Sequence, residues 1–202
     1  MLFRSHAINA FLATCVVFAN EVATICEQVG ANAADVERAI RSDPRVGTKT
    51  YVTPGAAFAG GTLARDVTFL TEIGSGKQLQ LQMLNGIVPS NAVHRTWALR
   101  RVRDVLSGLL GRRIAVWGLS YKPGTDAIRR SVSVELCRGF LNEGASVAAF
   151  DPVVKALPVQ LKEVSLANTA LDAVREADAL VVATEWPEFR QIRAEDILSR
   201  DR

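Results

Sequence analysis

Three groups of residues have types and spacings suited to chemistry. The first is the run Gly118-Leu-Ser-Tyr-Lys-Pro-Gly124, which follows a short apolar segment, where a phosphate-binding turn would stand. It departs from G-x-G-x-x-G. Pro123 and Lys122 fill a stretch that needs bare backbone amides to approach a pyrophosphate. A dinucleotide held in the usual manner is therefore not expected there. A nucleotide docking at the carboxyl ends of the strands would find Lys122 and Arg129 as partners for phosphate oxygens, although an isolated lysine is more often a solvated loop charge. The second is Asp151, which stands where an acidic ribose-binding residue would follow a second strand. Its spacing from Gly118 exceeds the usual ~20 residues, and Asp151-Pro152 reads equally well as a turn. The third is the basic series Arg100, Arg101, Arg103, Arg112 and Arg113. Its plain reading is a solvated helix face, and with no interleaved aromatic residues it does not suit nucleic acid. His6 and His94 are far apart with no carboxylate at ligand spacing, so neither a metal site nor a histidine-based dyad is expected.

Composition sets the frame for these groups. The 202 residues are 49% hydrophobic and 22% charged, with a net charge of +3. These are globular values that exclude disordered, collagen-like and coiled-coil classes. Three cysteines without CxxC spacing exclude a disulfide framework and a zinc site and point to a reducing, cytoplasmic setting. The apolar run over residues 7–19 is interrupted by Asn9 and Thr14 and is shorter than a membrane span. The expectation is a soluble chain with no membrane partner.

The elements that position the chemistry follow from periodicity. Leu12, Val16, Ala19, Ala23, Cys26 and Val29 form one stripe of a long helix from about residue 5 to residue 28, closed by Gly30. Asn32 caps a second helix with Val36, Ala39 and Ile40 inward, ended by Asp43-Pro44. A glycine-rich structured loop covers 45–61. Helical spacing returns from Asp66 through Val67, Leu70 and Ile73, and Gly74 and Gly76 interrupt it. Another helix starts at Pro89-Ser90-Asn91 and runs to Ser107-Gly108. Beyond that point short apolar runs alternate with helices: strands at 114–118, 145–150 and 179–183, and helices at 131–142 and 170–176. That alternation indicates a doubly wound parallel sheet. The fold class is thus α/β, with an all-helical domain over 1–107 followed by a Rossmann-like domain over 108–202.

Five stretches together resemble one family, the nucleotide-sugar (UDP-glucose and GDP-mannose) 6-dehydrogenases. Asn9-Ala-Phe-Leu with Asn20-Glu21 is similar to the family helix K-x-x-x-N…N-E. Asp43-Pro-Arg-Val-Gly47 resembles D-x-R-I-G. Pro54-Gly-Ala-Ala-Phe-Ala-Gly-Gly-Thr-Leu-Ala-Arg-Asp66 resembles P-G-x-G-F-G-G-S-C-F-P-K-D. Tyr121-Lys-Pro-Gly-Thr-Asp-Ala-Ile-Arg-Arg-Ser131 resembles F-K-P-x-T-D-D-x-R-E-S. Thr184-Glu-Trp186 with Phe189 is the last. They occur in family order over nearly the whole chain.

The resemblance implies a central helical dimerisation domain and a C-terminal domain holding the nucleotide of the sugar, without the family's NAD-binding domain. In the family, a C6 alcohol is oxidised to a carboxylate in two NAD-dependent steps, feeding polysaccharide synthesis, with a cysteine as covalent nucleophile. That position falls on Thr62, or on Leu63 if the double glycine is slid into register. Neither is a thiol, and a threonine hydroxyl without a base is a weak nucleophile. The family lysine falls on Ser5, removing a cation where oxyanion charge develops. Asn9 and Asp66 keep catalytic positions. Arg45, Phe58, Gly60 and Lys122 match substrate-binding positions, and Arg65 and Arg129 match positions near the cofactor, NAD. The implied partners are a nucleotide sugar, a second copy of the chain, and a separate NAD-binding chain or full-length homologue. The implied function is that of a family member inactive by itself; the other reading is a non-catalytic sugar-nucleotide-binding and dimerisation module.

Overall fold

The computed structural model describes residues 2–129 and 131–198. Arg130, within the fourth of the stretches above, lies outside the described residues. The chain divides into two compact units, Met1–Arg95 and Thr96–Arg202. The expected joint near Gly108 is not where contacts thin out, because the helix Trp97–Leu106 packs on the second unit.

The first unit is helical. α1 (Leu2–Val29) is followed by α2 (Ala33–Ser42), α3 (Thr62–Gly76) and α4 (Gln82–His94). Ala10 and Ala13 on α1 are buried with Val67 of α3 and Ile87 of α4. Small side chains at these positions let the long helix lie close against α3. Gly30, with φ +73°, ends α1. Asn32 caps α2, its side chain accepting from the Ala34 amide at 2.9 Å. Residues 3–29 are long and apolar enough to cross a membrane, and a third of that apolar window is buried inside the unit.

Four expectations fail here. Val29 is 71% exposed and does not continue the buried stripe. No residue of α2 is buried, and Ala39 is exposed, because the helix touches little beyond α1. α3 begins at Thr62 and runs through Gly74, whose missing side chain leaves room for Leu81. Pro89 lies inside α4 rather than opening a helix. A proline inside a helix forfeits one backbone hydrogen bond, and burial of Ile87 and Asn91 on either side holds the helix across it.

The second unit is α/β. α5 (Trp97–Leu106) leads to β1 (Arg113–Trp117), α6 (Val132–Asn142), β2 (Ser146–Phe150), β3 (Ser165–Leu166), α7 (Ala170–Ala173), β4 (Ala179–Val182) and α8 (Ala194–Leu198). The sheet is wholly parallel, in the order β3-β2-β1-β4. β1 is buried on both faces. Ile114 and Val116 pack with Leu136, Cys137 and Phe140 of α6 on one side. Ala115 and Trp117 pack with Ala173, Trp186 and Phe189 on the other. Each fully buried side chain of this size contributes roughly 1.5–3 kcal/mol, which places the core around β1. β3 was not anticipated, since two residues carry no periodicity. α7 is shorter than expected. β4 is an edge strand, so Val182 is exposed rather than buried.

Candidate functional site

In the first unit, the packing of α1 on α3 brings Asn9 and Asp66 together. Asp66 is 1% exposed. Asn9 Nδ2 donates to its Oδ2 at 2.6 Å, and Arg65 Nε donates to Oδ1 at 2.9 Å. His6, one turn before Asn9 on the same helix face, places Nδ1 3.1 Å from Oδ1. That is an ion-pair distance without hydrogen-bond geometry, and the Nδ1 is otherwise unpartnered. The His6 ring lies 4.1 Å from that of Phe69. The Asn9 hydrogen bond, opposed by burial and reinforced by Arg65 and His6, holds the Asp66 carboxyl at about 2. Asp66 is therefore an ionised acceptor that orients its partners, and too weak a base to take an alcohol proton near neutrality. Sequence reasoning missed His6 because its carboxylate partner is distant in the chain.

Thr62 stands one turn before Asp66, exposed at the start of α3, and its hydroxyl makes no hydrogen bond among the described residues. Leu63 packs inward against the Val67 cluster. Ser5 is exposed. The three cysteines are free and buried. Burial pushes the Cys137 thiol up to about 12 and raises that of Cys15, so neither serves as a thiolate near neutral pH.

The loop bearing Phe58 and Gly60 is clamped by side chains from two helices. Asn91 accepts from the Phe58 amide and donates to its carbonyl, both at 2.9 Å. Asn20 Oδ1 accepts from the Gly55 amide at 2.9 Å, and His94 Nε2 lies 2.8 Å from the Gly55 carbonyl. Asn91 and His94 thus shape the loop. Arg45 is exposed and forms a two-pronged pair with its own neighbour Asp43 at 2.7 and 3.0 Å. Beside it, Phe11 and Leu12 of α1 and residues 46–51 line an open cleft of about 480 Å³.

In the second unit, β1 ends at Gly118, with φ +89°. Asp151, 1% exposed just after β2, accepts from the Leu119 and Ser120 amides at 2.8 and 2.9 Å and from Val153 and Val154 at 3.0 and 3.1 Å. Burial raises its proton affinity, but those four amides outweigh it and hold the carboxyl below its ordinary range. Thr184 Oγ1 donates to the Ser120 carbonyl at 2.6 Å, and Trp186 Nε1 lies 3.2 Å from both Ser120 Oγ and Asp151 Oδ2. Three separate stretches of sequence therefore meet at one turn. The loop beyond it is closed by the Tyr121 amide donating to Ala127 at 2.7 Å. Lys122, 6.0 Å from the centre of the Tyr121 ring, and Arg129 are exposed on it. The basic series is largely committed to structure: Arg103 pairs with Glu143, Arg112 with Asp178 at 3.0 Å, and Arg113 Nε donates to the Arg175 carbonyl at 3.0 Å.

Both units are similar to known proteins in sequence. Residues 5–93 match the central domain, and residues 115–200 the UDP-binding domain, of the UDP-glucose/GDP-mannose dehydrogenase family. UDP-glucose 6-dehydrogenase of Rickettsia prowazekii is 33% identical over 196 residues, covering 95% of this chain and 45% of the relative. The enzyme of that name from Pseudomonas aeruginosa is 35% identical over 197 residues, covering 94% and 43%. A UDP-glucose dehydrogenase structure from Pyrobaculum islandicum superposes with a TM-score of 0.84 at 29% identity, covering 93% of this chain and 44% of that one. The chain spans under half the length of these relatives. Two family domains matched in order over most of the chain establish that it belongs to the UDP-glucose/GDP-mannose dehydrogenase family.

Proposed function

We propose that these residues form the substrate-holding and dimerising part of a nucleotide-sugar 6-dehydrogenase and do not by themselves oxidise the sugar. The observation that carries this reading is the Asn9–Asp66 pair with Thr62 and Ser5 beside it. The groups that orient a sugar hydroxyl or a water are kept, and the thiol and ammonium that the family's chemistry uses are replaced. With one N–H given to Asp66, Asn9 retains a second N–H and a carbonyl for the sugar end. In the second unit, Lys122 and Arg129 are exposed cations suited to a diphosphate. NAD, the family's cofactor, does not fit at the β1 turn, whose Leu119 and Ser120 amides already serve Asp151.

Calorimetry with UDP-glucose and GDP-mannose tests binding. One of them should release heat, and Lys122→Ala should weaken that binding about 10- to 100-fold, as loss of a charged hydrogen bond does. Absence of heat with both, or unchanged affinity in the variant, contradicts the assignment.

The same reading makes the chain a cytoplasmic homodimer built on α1. Ile8, Phe11, Phe18 and Ile25 recur at steps of three and seven, the spacing of a helix–helix seam, and are 61%, 63%, 49% and 60% exposed. Sedimentation should give a dimer at micromolar concentration, and Phe18→Glu a monomer; a monomeric wild-type chain contradicts it. The loss of thiol and ammonium also supports a second reading, a non-catalytic module that partners a full-length homologue. A mixed dimer on co-expression with such a homologue distinguishes it.

A further inference from the structure

An open α/β sheet that holds a dinucleotide uses two features in concert. The amides of the turn after its first strand receive the pyrophosphate, and an acidic side chain after its second strand takes the ribose hydroxyls. In the second unit both features are present, and they are spent on each other. The acidic residue, Asp151, turns inward and takes the Leu119 and Ser120 amides at 2.8 and 2.9 Å. The amides on either side are also committed, that of Gly118 to the Phe150 carbonyl at 2.8 Å and that of Tyr121 to Ala127 at 2.7 Å. Four consecutive N–H groups of the turn thus have partners within the unit. Thr184 closes the other side, since a Cβ on Gly118 would lie 2.6 Å from its backbone nitrogen.

We propose that Asp151 is a resident anion and the specificity-determining residue of this turn: its carboxylate occupies the place of a ligand phosphate, excludes pyrophosphate cofactors from the second unit, and fixes the base of the loop carrying Lys122. A carboxylate suits this role because an anion accepts several backbone N–H groups at once, and such charge-assisted bonds are roughly twice as strong as neutral ones. The loop's phosphate-seeking cations are thereby left for a ligand held from outside the turn. Gly118 follows from the same arrangement: the chain must turn back under Thr184 to deliver two successive amides to one oxygen.

The test uses the full chain as Asp151→Ala and Asp151→Asn, with formate and inorganic pyrophosphate as probes. Stability is read from tryptophan fluorescence, and the Leu119 and Ser120 amides by NMR. Asp151→Ala should lower the folding equilibrium constant about 10- to 100-fold, the effect of losing hydrogen bonds to a charged group. Formate should recover part of that loss relative to chloride at matched ionic strength, with no comparable effect on the wild-type chain. Asp151→Asn keeps the shape but turns an N–H₂ toward one pair of amide donors, and should fall by a similar factor. Pyrophosphate should move the two amide signals in Asp151→Ala and leave them in place in the wild-type chain. An Asp151→Asn chain as stable as wild type, a folded Asp151→Ala chain indifferent to formate and pyrophosphate, or wild-type amides that respond to pyrophosphate would each overturn the proposal. Should Asp151→Ala fold in no buffer, Asp151→Asn and the wild-type amides decide. No nucleotide sugar enters these measurements, so failure of sugar binding and failure of this proposal are separate outcomes.

Discussion

Gly118→Ala should unfold the second unit at denaturant concentrations the wild-type chain withstands, with a loss of more than about 4 kcal/mol. Two effects add. Gly118 has φ +89°, a backbone state that costs a residue with a side chain of order 1–3 kcal/mol. The added methyl would also sit 2.5 Å from Thr184 Cβ, 2.6 Å from its nitrogen and 2.8 Å from its carbonyl oxygen. Two of these are backbone atoms, held by the Thr184 amide donating to the Trp117 carbonyl and the Thr184 carbonyl accepting from the Trp186 amide, so the clash is not relieved by a rotamer change. Trp97, Trp117 and Trp186, the chain's three tryptophans, all lie in the second unit. Fluorescence during urea unfolding therefore reads this unit alone, and a midpoint equal to wild type would show that the turn is not held as described.

Asp66→Asn should remove an acid sensitivity from the first unit and leave it weaker at neutral pH. The carboxyl of Asp66 is held at about 2 when folded, against an ordinary value of about 3.9 when unfolded. A group whose value is depressed by folding stabilises the folded state above its unfolded value and loses that contribution as pH falls through the folded one. The wild-type first unit should therefore lose stability between about pH 4 and pH 2. In Asp66→Asn that part of the acid response should vanish, because nothing at position 66 titrates. The partners left behind, Asn9, Arg65 and His6, then face an amide that can satisfy fewer of them. Helical circular dichroism of the two chains against pH checks this, and parallel acid curves would show that Asp66 is not the responsible group.

What could be read directly from the sequence was local. Asn32 caps α2 by accepting from the Ala34 amide, and β1 announces itself as an apolar run ending in glycine. Pro89 misled because a proline marks a helix start by local rule, while burial of Ile87 and Asn91 overrides that rule in the folded chain. Pro123 and Lys122 mark the β1 turn as poorly suited to a dinucleotide. The stronger physical reason, Asp151, bonds to Ser120 across 31 positions. The clamp of Asn91 on Phe58 spans 33 positions. Neither pairing leaves a trace in periodicity or spacing. Thr62 and Ser5 were legible only through resemblance, since a threonine in a helix's first turn and a serine within another carry no chemical signal of their own. His6 was set aside for lack of a nearby carboxylate, and its carboxylate proved to be on another helix.

We propose above that this chain holds a nucleotide sugar without oxidising it. Carbon-13 NMR of UDP-glucose labelled at C6, in the presence of the chain and NAD, reads both halves in one spectrum. The C6 alcohol resonance should broaden or shift on adding protein, recover with excess unlabelled ligand, and give rise to no aldehyde or carboxylate signal. A growing carboxylate resonance, or an alcohol resonance untouched by the protein for both UDP-glucose and similarly labelled GDP-mannose, would contradict it.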